Sequence, residues 1–480
     1  MDHLNVHDPD LAVLEQHFHA QGPVALNLRR SSARDRIGKL RRLRAALLQR
    51  RQAFYQAFAR DFRKPHVEIE LTEFLPVVDE LRHAIRHLRK WMRPIRVQPT
   101  LTTLGTAARI VYQPRGRCLI ISPWNYPVNT LIGPLISAIA AGNTAIIKPS
   151  ELTPHVNAVI ADLIGDVFAP DEVALIQGGV KTAQALLGLP FDHIFFTGSP
   201  AVGKIVMTAA AQHLSSVTLE LGGKSPVIVD ETADIERAAE TTIWAKLVNA
   251  GQTCIAPDYL LVHRSVRDRF VEHCRKTIEN HFGATGDQVA TTADLARIIS
   301  TGHVTRLAAL VDDALATGAQ LISGGSYCHA ERYVAPTLLG NVTPRARICD
   351  EEIFGPILPI IEFETIDEAI AYINARPKPL SLYMWSRRDA AIDSLLQQTS
   401  SGGACVNHCL QQYAHSGLPF GGVGQAGIGN AHGFFGFKAF SHERAVLTGG
   451  RFLTARLFFP PYTRLKTRLV QRVVDFLAKV

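Results

Sequence analysis

The chain is 480 residues long, 47% apolar and 20% charged, which gives it material for two or three domains with large cores and no low-complexity tract. Its formal net charge of +8 is uneven: residues 29–51 hold ten Lys and Arg against Asp35, and residues 451–480 hold seven against Asp475, so the rest is net acidic. No basic motif is interleaved with aromatics, so the two runs read as solvated helix faces and nucleic acid is not an expected partner.

The start, Met1 to Leu4, lacks a charged-then-apolar targeting pattern. Ile37, Leu40, Leu43, Leu47, Phe54 and Phe58 recur at helical spacing over 33–60. Leu71, Phe74, Leu75, Val78, Leu81, Ile85, Leu88 and Met92 do the same over 68–92, and Pro94 ends that helix. Arg109–Gln113 and Arg117–Ile121 read as a strand pair around Pro114–Gly116. Leu131 to Ala141 is apolar but broken by Gly133 and Pro134, and it falls short of the ~20 residues a bilayer span needs. Short apolar strands then alternate with helices, at 144–148, 173–177, 193–196, 217–221 and 226–229. That pattern predicts an α/β fold whose parallel sheet is covered on both faces. A second α/β run fills roughly 235–400. A strand at 403–407 opens a glycine-rich segment reaching Gly433. Leu465, Leu469, Val473, Phe476, Leu477 and Val480 mark a terminal helix, basic and amphipathic. The expected divisions are 1–219, 220–402, 403–445 and a tail, 446–480.

Seven cysteines form no CxxC, so neither a disulfide framework nor a zinc ribbon is indicated, and a reducing cytoplasm fits. Cys405, His408 and Cys409 lack a second ligand cluster; they read as core strand, and no metal is expected. Gly422-Val423-Gly424-Gln425-Ala426-Gly427 matches the dinucleotide fingerprint as a string but lies in no βαβ unit. Gly198–Lys204 nearly matches a P-loop, yet Ile205 stands where the Mg²⁺-binding hydroxyl is required. What survives is a strand, a glycine turn and a helix start, a geometry that suits a phosphate or a plain tight turn equally well.

Chemistry concentrates in Gly251-Gln252-Thr253-Cys254 and Glu220-Leu221-Gly222-Gly223-Lys224. A thiolate attacks carbonyl carbon, and a carboxylate can drive water onto the acyl-thiol that results. Taken alone, the cysteine reads more often as a buried structural residue and the glutamate as a surface one.

Together with Pro123-Trp124-Asn125-Tyr126-Pro127, Lys148-Pro149-Ser150-Glu151, Phe196-Thr197-Gly198-Ser199, Glu352-Ile353-Phe354-Gly355-Pro356 and Pro419-Phe420-Gly421-Gly422, these segments resemble the aldehyde dehydrogenase superfamily from about residue 30 to about 445. Ala256-Pro257-Asp258-Tyr259 and Gly203–Thr208 are similar to the class 3 group, which includes fatty-aldehyde and coniferyl-aldehyde dehydrogenases. The resemblance implies a Rossmann-variant domain binding NAD or NADP within 1–219, a catalytic domain at 220–402 and a bridging, oligomerising β segment at 403–445. It implies Cys254 as nucleophile, Asn125 with the Cys254 N–H as oxyanion donors, and Glu220 as the base that activates water on the thioester. It places Lys148 and Glu151 at the adenosine ribose, and Trp124, Gly198, Ser199 and Gly203 around adenine and pyrophosphate. Glu352 falls at the nicotinamide ribose and Phe354 beside that ring. Tyr126 and Trp244 become walls of an apolar aldehyde tunnel, Lys224 a support for the Glu220 loop and Asn407 a support near the nucleophile. A homodimer is implied. Phe434-Phe435-Gly436-Phe437 departs from the charged or tyrosine-containing stretch of class 3 relatives and leaves the substrate class open. The terminal helix is expected to dock on its own subunit or its dimer partner, with weak contact to an anionic membrane as the sharper alternative. A CoA-acylating enzyme and a catalytically silent relative are the competing readings. Glu220 argues against the first, because thiol transfer needs no water-activating base, and the intact set argues against the second.

Overall fold

A computed structural model describes residues 8–450 and 459–479; Met1 to Leu4, Val480 and part of the 446–480 tail lie outside the described residues. Five short apolar strands build the first sheet. They are numbered in chain order β1 (Arg117–Ile121), β2 (Thr144–Lys148), β3 (Val173–Leu175), β4 (His193–Thr197) and β5 (Ser216–Glu220). They lie parallel in the order β5-β4-β1-β2-β3, and the two-residue strand Gly427–Ile428 adds antiparallel to β5. Side chains alternate across a strand, so β1 divides its residues between two cores. Cys118 and Ile120 pack with the helical layer of residues 33–91, and Leu119 and Ile121 pack with Leu14, Phe18, Leu186 and Val206. Both faces are covered, which is why these strands read as continuous apolar runs. Strand order reverses at β1, so the loops leaving the carboxyl ends of β1, β4 and β5 converge on one crevice.

The second sheet has seven strands, in the order Gln320–Ser323, Thr337–Gly340, Ile357–Phe363, Tyr259–His263, Pro226–Val229, Ser381–Trp385 and Gly403–Val406, parallel apart from the first. Gly403–Val406 is its edge strand, with Ala404 and Val406 exposed, and so is not the core strand expected around Cys405. A third, antiparallel sheet joins Ile95–Val97, Thr106–Pro114 and Ser441–Gly449.

The strand pair expected around Pro114–Gly116 does not form. Thr106–Pro114 pairs with Ser441–Gly449 along its whole length, and Arg117–Ile121 enters the parallel sheet. The turn is redirected at Gly116, whose φ of 140° brings its backbone against the Asp192 carboxylate, and Arg117 donates its N–H to that group at 2.7 Å. The helix predicted over 33–60 is two, Ala33–Gln49 and Arg51–Phe62. That over 68–92 is a π turn, Glu70–Phe74, running into Leu75–Trp91. Leu71 and Leu75, predicted core, are exposed at the rim of a cavity. Among the described residues nothing buries any residue of the terminal helix Arg464–Leu477. Among the described residues no helix is long and apolar enough to cross a membrane.

Candidate active site

The helix Ile235–Leu247 ends in a tight loop that delivers Cys254. Asn249, Ala250 and Gly251 are successively left-handed, with φ of 55°, 52° and 75°. For the first two this conformation costs of order 1–3 kcal/mol each, and at Gly251 the Gly355 carbonyl leaves no room for a Cβ. Buried hydrogen bonds offset the strain. Asn249 Nδ2 donates to the carbonyls of Asn125 at 2.9 Å and Gln252 at 3.2 Å. The Gln252 amide donates to the Asn249 and Arg297 carbonyls at 3.0 and 3.1 Å, and its oxygen accepts the Ile299 N–H at 2.9 Å. Cys254 is half-buried on this rigid base. Burial first, and then the charges of Glu352 and Glu220, push its thiol up to about 12.

Glu220 ends β5, opposite Gly427 of the added edge strand. The fingerprint-like string 422–427 is therefore a loop returning to this edge: Gly422 lies where a Cβ would collide with the Ala426 carbonyl. Glu220 is 5% exposed, and neither carboxylate oxygen has a hydrogen-bond partner among the described residues. Burial holds its pKa well above the usual carboxylate range.

Two cavities meet at these groups. One, of about 300 Å³, has apolar walls that include Leu71, Tyr126, Trp244, Val248, Tyr413 and Phe420. The other, of about 860 Å³, runs past Trp124, Gly198, Ser199, Arg306, Glu352 and Phe354. Cys254 and Glu220 line both. The larger cavity fits a dinucleotide: it lies at the carboxyl ends of the strands, beside the N-terminus of the helix Pro200–His213, which Ser199 caps by accepting the Val202 N–H at 3.4 Å.

Asn125 is buried beside the nucleophile loop and spends one amide hydrogen on the Gln252 carbonyl at 3.0 Å. Tyr126 is buried in the apolar wall with its hydroxyl on Thr253, and Trp244, 41% exposed, stands at the rim. Trp124 packs edge-on to Phe354 and His303 in the wall of the larger cavity. Lys148 and Glu151 lie at the end of β2, outside the walls of that cavity, with the ammonium 3.5 Å from the carboxylate. Gly203 sits inside its helix, packed closely against Leu221. Lys224 is tied to Asp258 and to the carbonyls of Ile348 and Glu351 at 2.8 and 2.9 Å. Asn407 brackets Ser386 through both its N–H and its carbonyl.

No local pattern in the chain marks the network behind Tyr126. Lys64 and Glu73, both fully buried, pair at 2.8 Å, and the Lys64 ammonium lies 4.0 Å from the Tyr126 ring centroid. Glu73 also accepts the N–H groups of Val128 and Asn129 at 3.2 and 2.9 Å. Glu68 accepts the Asn249 N–H at 2.9 Å, and burial raises it to about 7. His303 and Arg306 also line the larger cavity, and neither stands in a motif.

The chain is similar to known proteins along most of its length. The profile of the aldehyde dehydrogenase family matches residues 16–446, and the chain belongs to that family. It is 40% identical to a probable coniferyl aldehyde dehydrogenase of Pseudomonas aeruginosa, covering 96% of each chain. It is 41% identical to human aldehyde dehydrogenase family 3 member B1, covering 95% of each. A solved Staphylococcus aureus AldH in a substrate-bound state superposes with a TM-score of 0.91 at 41% identity, over 96% of this chain and 99% of that one. The protein is an oxidoreductase that oxidises aldehydes with NAD or NADP, and a solved structure of this fold at 27% identity holds nicotinamide adenine dinucleotide.

Proposed function

We propose that Cys254, Glu220 and Asn125 oxidise an apolar aldehyde to the free carboxylate. The observation that carries this is the meeting of the two cavities at Cys254 and an unpartnered buried Glu220. The aldehyde enters along the apolar wall, guided by Tyr126 and Trp244. Cys254 first gives up its thiol proton to solvent water; its thiolate Sγ then adds to the carbonyl carbon, and the free amide hydrogen of Asn125 with the Cys254 N–H stabilises the charged oxygen of the thiohemiacetal. The nicotinamide, when bound, supplies the hydride acceptor, and the enzyme is left with a thioester. Glu220 then takes a proton from water as that water attacks the thioester, a step suited to a carboxylate whose pKa burial has raised. Ser199 and Gly198 hold the pyrophosphate, Glu352 the nicotinamide ribose, and Lys148 with Glu151 the adenosine ribose. Phe354 and Trp124 pack beside the nicotinamide.

The test is reduced-nicotinamide absorbance over a panel of aromatic, medium-chain and long-chain aldehydes, each with and without CoA. Turnover without CoA, with carboxylate as product, is the expected outcome. A strict CoA requirement overturns the hydrolytic reading.

The assembly proposed with it is a cytoplasmic homodimer. Among the described residues Gly403–Val406 and Ser441–Gly449 each leave one strand edge unpaired, and a second subunit is the natural cover for such edges. The terminal helix adds weak contact with anionic membranes. Exposed Leu465, Leu469, Phe476 and Leu477 form one arc of it, and Arg464, Arg468 and Arg472 lie on the other. Sedimentation with phosphatidylserine vesicles, compared with neutral ones, checks this contact.

A further inference from the structure

The first helix, Leu11–Leu28, is absent from the hydrophobic pattern as read along the sequence, yet the chain anchors it firmly on the cofactor sheet. Leu14 and Phe18 are buried against it. Phe18 meets Phe191 edge-on at 4.9 Å, the Arg117 guanidinium lies over the Phe18 ring, and Gln21 donates to the Ala145 carbonyl at 2.8 Å. The residues just before this helix are thereby held at the carboxyl ends of β2 and β3. There Asp8 accepts the Gly179 N–H at 2.7 Å and the Thr182 hydroxyl at 2.6 Å.

Gly179 and Thr182 belong to the start of the helix Val180–Leu187, which has no side-chain cap of its own. An eight-residue helix presents its free N–H groups and positive dipole end to anions at this point. Asp8, 171 residues away in sequence, already fills that position. On the neighbouring strand end, where the Ile147 carbonyl accepts the Ile176 N–H at 2.9 Å, Lys148 is buried, 3.5 Å from Glu151. The two features of this edge that attract a phosphate, a lysine and a helix N-terminus, are both matched in advance with carboxylates.

We infer that Asp8, acting with Glu151, makes this end of the cofactor site select NAD over NADP. The ribose hydroxyls of NAD are neutral and find in Lys148 a donor and in Glu151 an acceptor. A 2′-phosphate meets two carboxylates and a helix N-terminus that is no longer free. The inference rests on the placing of the adenosine ribose at Lys148 and Glu151 proposed above.

Calorimetric dissociation constants for NADH and NADPH test it without turnover. The intact enzyme binds NADH at least about tenfold tighter at low salt, and added salt narrows the gap as it screens the carboxylates. Asp8→Asn keeps the acceptor oxygen that caps the helix and removes the charge. It should tighten NADPH by about fivefold to thirtyfold and leave NADH within about twofold. Equal binding of the two cofactors by the intact enzyme overturns the inference, and so does an Asp8→Asn variant that shifts both constants alike. Lys148→Met separates the two levels. If it leaves NADH affinity unchanged, the placing of the ribose fails. If it weakens NADH while Asp8→Asn leaves the NADPH-to-NADH ratio fixed, only the role of Asp8 fails.

Discussion

Glu73 and Glu220 are both carboxylates taken out of water, and the protein treats them in opposite ways. Glu73 is 0% exposed and fully engaged: it pairs with Lys64 and accepts two backbone N–H groups at the entry to the helix Asn129–Ala141. Glu220 is 5% exposed and engages no protein donor among the described residues. A buried carboxylate without partners is costly to fold around, so leaving one at the junction of two cavities reserves it for a group that arrives later. The contrast separates a carboxylate used for architecture from one proposed for chemistry, although burial alone ranks them together.

The comparison can be broken from either side. The largest effect belongs to the reacting side: Cys254→Ala should cut turnover by roughly 10⁴-fold or more while NADH binding, read by calorimetry, stays unchanged. On the architectural side, Glu73→Gln leaves the Lys64 charge buried without its partner and should cost about 3–5 kcal/mol of stability, measured by urea unfolding. Replacing both partners by apolar residues, Lys64→Met with Glu73→Leu, should recover most of that loss. Asn125→Ala should lower kcat by about 10²–10³-fold with little change in melting temperature, because the residue supports the nucleophile loop with one hydrogen and the reaction with the other. The smallest effect comes from an ordinary core group. His193 is buried and its pKa is depressed to about 3, so the folded state resists protonation. Its contribution to stability is complete above the unfolded value near 6.5 and is lost as pH falls towards 3. About 2 kcal/mol should disappear between about pH 7 and pH 5, and His193→Gln should flatten that part of the profile.

Much of this was legible in the chain itself. The β–α alternation announced the parallel sheet because strands covered on both faces must be apolar throughout. Cys254 and Glu220 stood out through the glycines around them. What escaped depends on partners remote in sequence. Thr106–Pro114 pairs with residues over 300 positions later, and no local pattern distinguishes it from half of a hairpin. Glu73 looks like one more polar residue on an amphipathic stretch until Lys64, Val128 and Asn129 close around it. Leu71 and Leu75 fit a helical core stripe perfectly well, and only the folded cavity shows them at its rim. The string 422–427 stands in no βαβ unit, and only the fold shows that it ends at Gly427, on the short strand beside Glu220.

The central claim is that Glu220, left unpartnered, brings water to an acyl group held on Cys254. Stopped-flow absorbance of the reduced nicotinamide in Glu220→Gln tests it most directly. The account predicts one rapid burst per active site followed by a steady rate lower by about 10²–10⁴-fold, with the thioester trapped on Cys254 and visible by mass spectrometry. A steady rate equal to that of the intact enzyme, with no burst, would contradict it.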